Sequence, residues 1–133
     1  QLDRESEGLK YLSIARELID GADVLRVAMS LDDRPYIVPF CFGRQGDRLY
    51  MHCATEGLKL DIIRKNPKVC FEVEADVEII DTGEPCDWTM TYRSVIGFGT
   101  AVLVDDVPVV GELRCTECGG AAQCGAAAVA LAR

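Results

Sequence analysis

The chain has 133 residues, enough to bury one hydrophobic core and too few for two, so a single domain over 1–133 is expected. Its 22 acidic against 14 basic residues leave a formal charge of -8, and no window forms a basic stripe, which disfavours a nucleic-acid partner. No apolar run approaches the roughly 20 residues that cross a bilayer, and Gln1–Glu7 lacks the basic-then-apolar pattern of a secretion signal. The cytoplasm, with no membrane partner, is therefore the expected setting.

Leu9, Leu12, Ala15, Leu18 and Ile19 recur at helical spacing and Gly21 supplies a stop, which predicts an amphipathic helix from Gly8 to Asp20. Val24 to Leu31 reads as a strand, 32–35 as a turn, and Tyr36 to Phe42 as the returning strand of a hairpin. Pro39 interrupts that returning strand. A proline cannot donate to a ladder, so an edge or a bulge is expected there. Residues 43–47 make the next turn, and Arg48 to Ala54 completes a meander with the chain's only histidine, His52, near its end.

Thr55 is placed to cap a helix from Glu56 to Lys65, whose Leu58, Ile62 and Ile63 lie on one side and which Asn66-Pro67 ends. The first N–H groups of a helix have no intrahelical partner and the helix dipole favours negative charge there, so Gly57 and Lys59 form a candidate anion site. Taken alone, Lys59 is more often an ordinary solvated lysine. A cation in the first turn nevertheless opposes the dipole unless an anion is present.

From Val69 the apolar residues Val69, Phe71, Val73, Ala75, Val77 and Ile79 alternate with Cys70, Glu72, Glu74, Asp76 and Glu78, predicting a strand with one buried and one wet face. After a turn-rich loop to Asp87, Trp88 to Val104 reads as one long strand or a bent pair, with Gly97 and Gly99 marking a kink or a close backbone approach. Many strands and one crossing helix give a mainly β fold, a small β-barrel rather than a sandwich.

Seven cysteines are an odd number, which argues against a fully paired disulfide framework. Cys41, Cys53 and Cys70 fall in strands and read as small buried hydrophobes, and Cys86 reads as exposed. Val109 to Arg114 could begin a helix. The segment 115–133 is rich in Ala, Gly and Cys and reads as an atypical tail. Cys115, Cys118 and Cys124 supply only one Cys-x-x-Cys knuckle, so a plain tail is preferred over a zinc site or a disulfide, and no metal is expected.

In order, these features are a strand with an internal Pro39, the strand ending in His52, the Gly57/Lys59 helix, Asn66-Pro67 and a long strand from Val69. Together with the later segment 92–101, this order resembles the FMN-binding split-barrel proteins related to pyridoxamine 5'-phosphate oxidase, in their nitroimidazole-resistance-like branch. The likeness runs from about Leu18 to Asp106. It implies a split β-barrel that binds FMN, with Lys59 beside Gly57 on the phosphate and Arg64 and Arg93 as further phosphate partners. It implies that Val38, Pro39, Phe40 and Cys41 run along the isoalloxazine, that Ala54 and Thr55 make backbone contacts, and that Ser94 and Val95 approach from the second strand. His52 would lie beside the flavin, as a catalytic residue or as part of the lining.

The resemblance also implies a homodimer with flavin at the subunit boundary. Trp88, Tyr92 and Phe98 are then better read as core or interface than as stacking partners. The implied activity is an FMN-dependent oxidoreductase that passes electrons from reduced nicotinamide to a small acceptor, with a nitro compound one candidate. No Gly-x-Gly-x-x-Gly follows a strand, so NAD(P)H would bind only transiently. The alternatives are a non-catalytic flavin- or haem-binding dimeric module, with His52 as an axial ligand, and a structural dimer without cofactor. Members of this family usually continue into a longer amphipathic helix and a closing strand. The segment 115–133 departs from that pattern and leaves the barrel's last strand without an assigned segment.

Overall fold

The computed structural model describes the backbone of residues 4–53, 56–104 and 127–132 and the side chains of 9–51 and 56–103. The chain divides into two compact units, one of Gln1–Ala22 with Val73–Val95 and the other of Asp23–Glu72 with Ile96–Arg133. The expected β-barrel is present. Among the described residues, six strands, β1 (Val24–Leu31), β2 (Arg34–Gln45), β3 (Arg48–Cys53), β4 (Lys68–Ile80), β5 (Thr89–Val104) and β6 (Ala127–Ala132), close in the order β1-β2-β3-β6-β5-β4.

The second unit is built on β1 (Val24–Leu31), β2 (Arg34–Gln45), β3 (Arg48–Cys53), the second helix, α2 (Leu58–Lys65), and β6 (Ala127–Ala132). It also holds the first residues of β4 (Lys68–Ile80) and the last of β5 (Thr89–Val104). In β1 the alternation is clean, with Leu25, Val27 and Met29 buried and Arg26 and Ala28 half-buried between them. Each fully buried side chain of this size contributes about 1.5–3 kcal/mol. Leu31 pairs with Arg34, so Asp32 and Asp33 alone make the β1–β2 turn. Both take left-handed backbone, φ 51 and 61, which matches the twist that two-residue hairpin turns require.

Helix α2 buries Leu60, Ile62 and Ile63. It stops at Asn66, whose extended backbone (φ -137, ψ 97) still donates its N–H to the Ile62 carbonyl at 2.7 Å. The Asn66 side chain then donates to the Ser30 carbonyl at 2.8 Å and accepts from the Lys68 N–H at 3.3 Å, tying the end of α2 to β1 and to the start of β4. Beyond it, the Pro67 carbonyl accepts from the Ala101 N–H at 2.8 Å. Strand β4 pairs with β1 through Cys70, Phe71 and Glu72, and Arg26 meets Glu72 at 3.5 Å across that ladder.

The closing strand is the main departure from the sequence reading. Ala127–Ala132, inside the segment taken as an atypical tail, forms β6. It pairs with β3 from Leu49–Leu131 to Cys53–Ala127 and with β5 from Thr100–Ala132 to Val104–Ala128. Alanine is a poor strand former, but a ladder on each side overrides that weak preference. The helix expected from Val109, the three tail cysteines and their zinc or disulfide readings lie outside the described residues.

The first unit holds α1 (Arg4–Gly21), the outer part of β4, a 3₁₀ turn at Pro85–Asp87 and the first part of β5. Helix α1 buries Leu18 and Ile19, whereas Leu9 at the other end of the expected stripe is exposed. The expected alternation along β4 also stops short, since Val77 and Ile79 are 51% and 66% exposed. The break is at Asp76, whose left-handed φ of 55 interrupts the pleat and whose carboxylate takes both Nε and Nη2 of Arg93, at 2.7 and 2.6 Å.

Candidate functional site

Helix α2 begins two residues later than the sequence suggests, at Leu58 rather than Glu56. Its N-cap is Gly57 rather than Thr55, because Gly57 has φ 142 and ψ 172, a conformation L side chains rarely adopt and one that keeps Glu56 off the helical path. The Gly57 carbonyl accepts from the N–H groups of Leu60 and Asp61, both at 3.1 Å. Among the described residues no side chain caps this end. The first amides of α2 are therefore donors left over by helix geometry, and the dipole adds a partial positive charge beside them.

Lys59 stands in that first turn, half-buried, with its ammonium 5.3 Å from the centroid of the Phe40 ring. Phe40 lies on β2 opposite Leu25 of β1 and is only 6% exposed. Phe40 and Phe42 both point inward, so the half-buried Val38 and Cys41 and the exposed Pro39 leave Phe40 as the residue of this segment whose side chain reaches the helix start. Asp61 is the acidic residue of the same turn and faces Arg64 at 3.7 Å along the helix surface.

Pro39 is on a strand with two neighbours, but not at the point where it sits. The β2–β3 ladder runs from Phe42 to Gln45, while Pro39 is paired with Arg26 of β1. Its missing N–H thus falls where, among the described residues, β2 has a ladder on one side, which is the local equivalent of the edge expected for it.

His52 is in β3 with Ala128 of β6 as its backbone partner, and it is the residue after Met51, the partner of Phe42. Its side chain, and Ala54 and Thr55 altogether, lie outside the described residues. Ser94 is exposed and Val95 half-buried, and both belong to the first unit, as does Arg93 with its Asp76 partner. Arg64 falls in the last turn of α2, about 9 Å along the axis from Leu58 at 1.5 Å per residue, which removes it from the helix start. Within one unit the structure thus brings Lys59, beside Gly57, to Phe40 of the 38–41 segment, and it places the His52 backbone one residue beyond the Phe42–Met51 pair.

The pairing of Lys59 with the Phe40 ring was missed in the sequence, where Phe40 stands only as a backbone contact. The available signal was the two-residue spacing of Phe40 and Phe42, which puts both rings on the buried face. Among the described residues no group of His, Cys, Asp and Glu could hold a metal ion, and no helix is long and apolar enough to cross a membrane.

Residues 13–116 match the family described as pyridoxamine 5'-phosphate oxidase. A curated but uncharacterized protein of Rhizobium meliloti is 39% identical over 56 residues, 42% of this chain and 36% of that protein. Among solved structures, a candidate 5-nitroimidazole antibiotic resistance protein from Bacteroides thetaiotaomicron aligns at TM-score 0.60 and 27% identity, over 71% of this chain and 56% of its own. A FAD and heme binding protein from Mycobacterium smegmatis aligns at TM-score 0.58 and 26% identity, over 78% of this chain and 47% of its own. This chain therefore spans about a third to just over half the length of these relatives.

Proposed function

The chain belongs to the pyridoxamine 5'-phosphate oxidase family of flavin-binding split barrels, and from that premise we propose that it is an FMN-dependent oxidoreductase working as a homodimer in the cytoplasm. The observation that carries the reading is the start of α2, a glycine N-terminus that no described side chain caps, with an ammonium group in its first turn. That donor set suits a phosphate. Backbone N–H groups of the first turn would orient the anion, and Lys59 would add a point charge that offsets its unfavourable place at the positive end of the helix. The backbone of Val38 to Cys41 and the His52 segment would line the ring system, with Ala54, Thr55, Ser94 and Val95 as the remaining cofactor contacts. His52 would hold or donate a proton at its imidazole.

When bound, FMN supplies two-electron chemistry between reduced nicotinamide and a small acceptor. A nitro compound is the acceptor class favoured by the likeness to the nitroimidazole-resistance structure. A dimer is supported by β5, where Ile96, Phe98, Thr100 and Val102 form an uncharged exposed row within the second unit.

The test is titration of the purified protein with FMN, FAD and riboflavin, alongside its absorbance spectrum. Saturable FMN binding, at least tenfold tighter than riboflavin and lost on Lys59→Met, is expected. Binding of FAD in preference to FMN would transfer the proposal to the longer cofactor, and no saturation by any of the three would end it. A second reading, a non-catalytic flavin- or haem-binding module, is favoured by the likeness to the FAD and heme binding protein. A Soret band in the spectrum selects it, with His52 as the candidate axial ligand.

A further inference from the structure

The ammonium of Lys59 lies in a place that helix electrostatics disfavours, and among the described residues no carboxylate pairs with it. What holds it is an aromatic face. The Phe40 ring is fixed by burial and by the β1 ladder opposite Leu25, with the Lys59 Nζ 5.3 Å from its centroid. A ring differs from a carboxylate in one respect that matters for ligand binding. Its quadrupole attracts the cation without cancelling its charge, so the ammonium is confined yet still able to pair with an anion. Confinement before binding also removes part of the side-chain ordering cost that a free lysine would incur on meeting its ligand.

We propose that Phe40 is a positioning residue that holds Lys59 in place at the start of α2 for a phosphate-bearing ligand, an inference that rests on the flavin-phosphate reading above. The Phe40 ring acts through Lys59 and not by touching the cofactor's ring system.

The experiment is titration of FMN and riboflavin into wild type, Phe40→Leu, Phe40→Trp, Lys59→Met and the double variant Phe40→Leu/Lys59→Met. Phe40→Leu is expected to weaken FMN about two- to fivefold, the range an exposed cation–π contact supports. Phe40→Trp is expected to restore it, and riboflavin affinity to stay unchanged. In the Lys59→Met background the Phe40→Leu change should cost nothing further. If Phe40→Leu does not fold, Phe40→Met carries the same comparison. Equal loss of FMN and riboflavin, or an undiminished loss in the Lys59→Met background, would show that Phe40 serves packing alone and overturn the inference. Wild type that binds FMN no better than riboflavin overturns the phosphate reading and this inference together. Wild type that binds FMN well, with Phe40→Leu unaffected, overturns only this one.

Discussion

Gly97 shows how a single missing side chain is used in this barrel. A Cβ built on it would fall on the Cε1 and Cζ atoms of the Phe71 ring, with Cδ1 only 3.1 Å away. The sequence marks Gly97 as a point of kink or close approach, and the close approach is what the structure has, a ring from β4 laid over bare backbone of β5. Gly97→Ala is expected to destabilise the protein by about 1–3 kcal/mol through overpacking. The cost should shrink in a Phe71→Ala background, as read by urea denaturation of the four variants. An equal cost in both backgrounds would mean the ring yields without strain. The sequence could not name Phe71 as the partner, since cross-strand neighbours are set by register and not by distance along the chain. The same gap hid the ring beneath Lys59.

At the scale of elements, legibility followed the strength of the local pattern. Strand β1 lies where its alternation puts it, Val24–Leu31, because turn residues bound it on both sides. The helix start at Gly57 was misplaced by two residues because threonine is a good cap in general, whereas here a positive φ at glycine sets the boundary. Strand β4 carries an apolar alternation that outruns its burial, since one left-handed aspartate breaks the pleat. Strand β6 was illegible. Its six residues, Ala-Ala-Val-Ala-Leu-Ala, have no polar alternation and only one strand-forming side chain, Val129, so the ladders to β3 and β5 are what make them a strand. The candidate site divides in the same way: the glycine and lysine at α2 were readable from helix physics, and the backbone contacts of 38–41 only through family likeness.

For the whole molecule, charge and closure together limit how copies can meet. Among the described residues the six strands close on one another, which leaves little strand edge for pairing. With a formal charge of -8 on each copy, contact through the general surface is opposed by repulsion. The uncharged row on β5 avoids both obstacles, and Phe98, 78% exposed, is the most exposed of its large apolar members. Phe98→Asp is expected to convert the proposed dimer to monomer by sedimentation equilibrium. Its effect on the monomer's own stability should stay within about 0.5 kcal/mol, as for surface substitutions away from structural features. A variant that still sediments as a dimer, or a wild type that never does, places the interface elsewhere or removes it.

The late position of β6 in the chain also bears on how the fold is reached. Ala128 meets His52 across about 76 positions, whereas β1 and β2 turn on two residues. Loop entropy favours the short hairpins first and leaves the distant ladder for the end, so an open form with β3 and β5 as raw margins is expected to precede closure. Pulse-labelled hydrogen exchange should find amides of β1 and β2 protected before those of β6, and simultaneous protection would refute this order. While it lasts, that open form is the species most prone to aggregate.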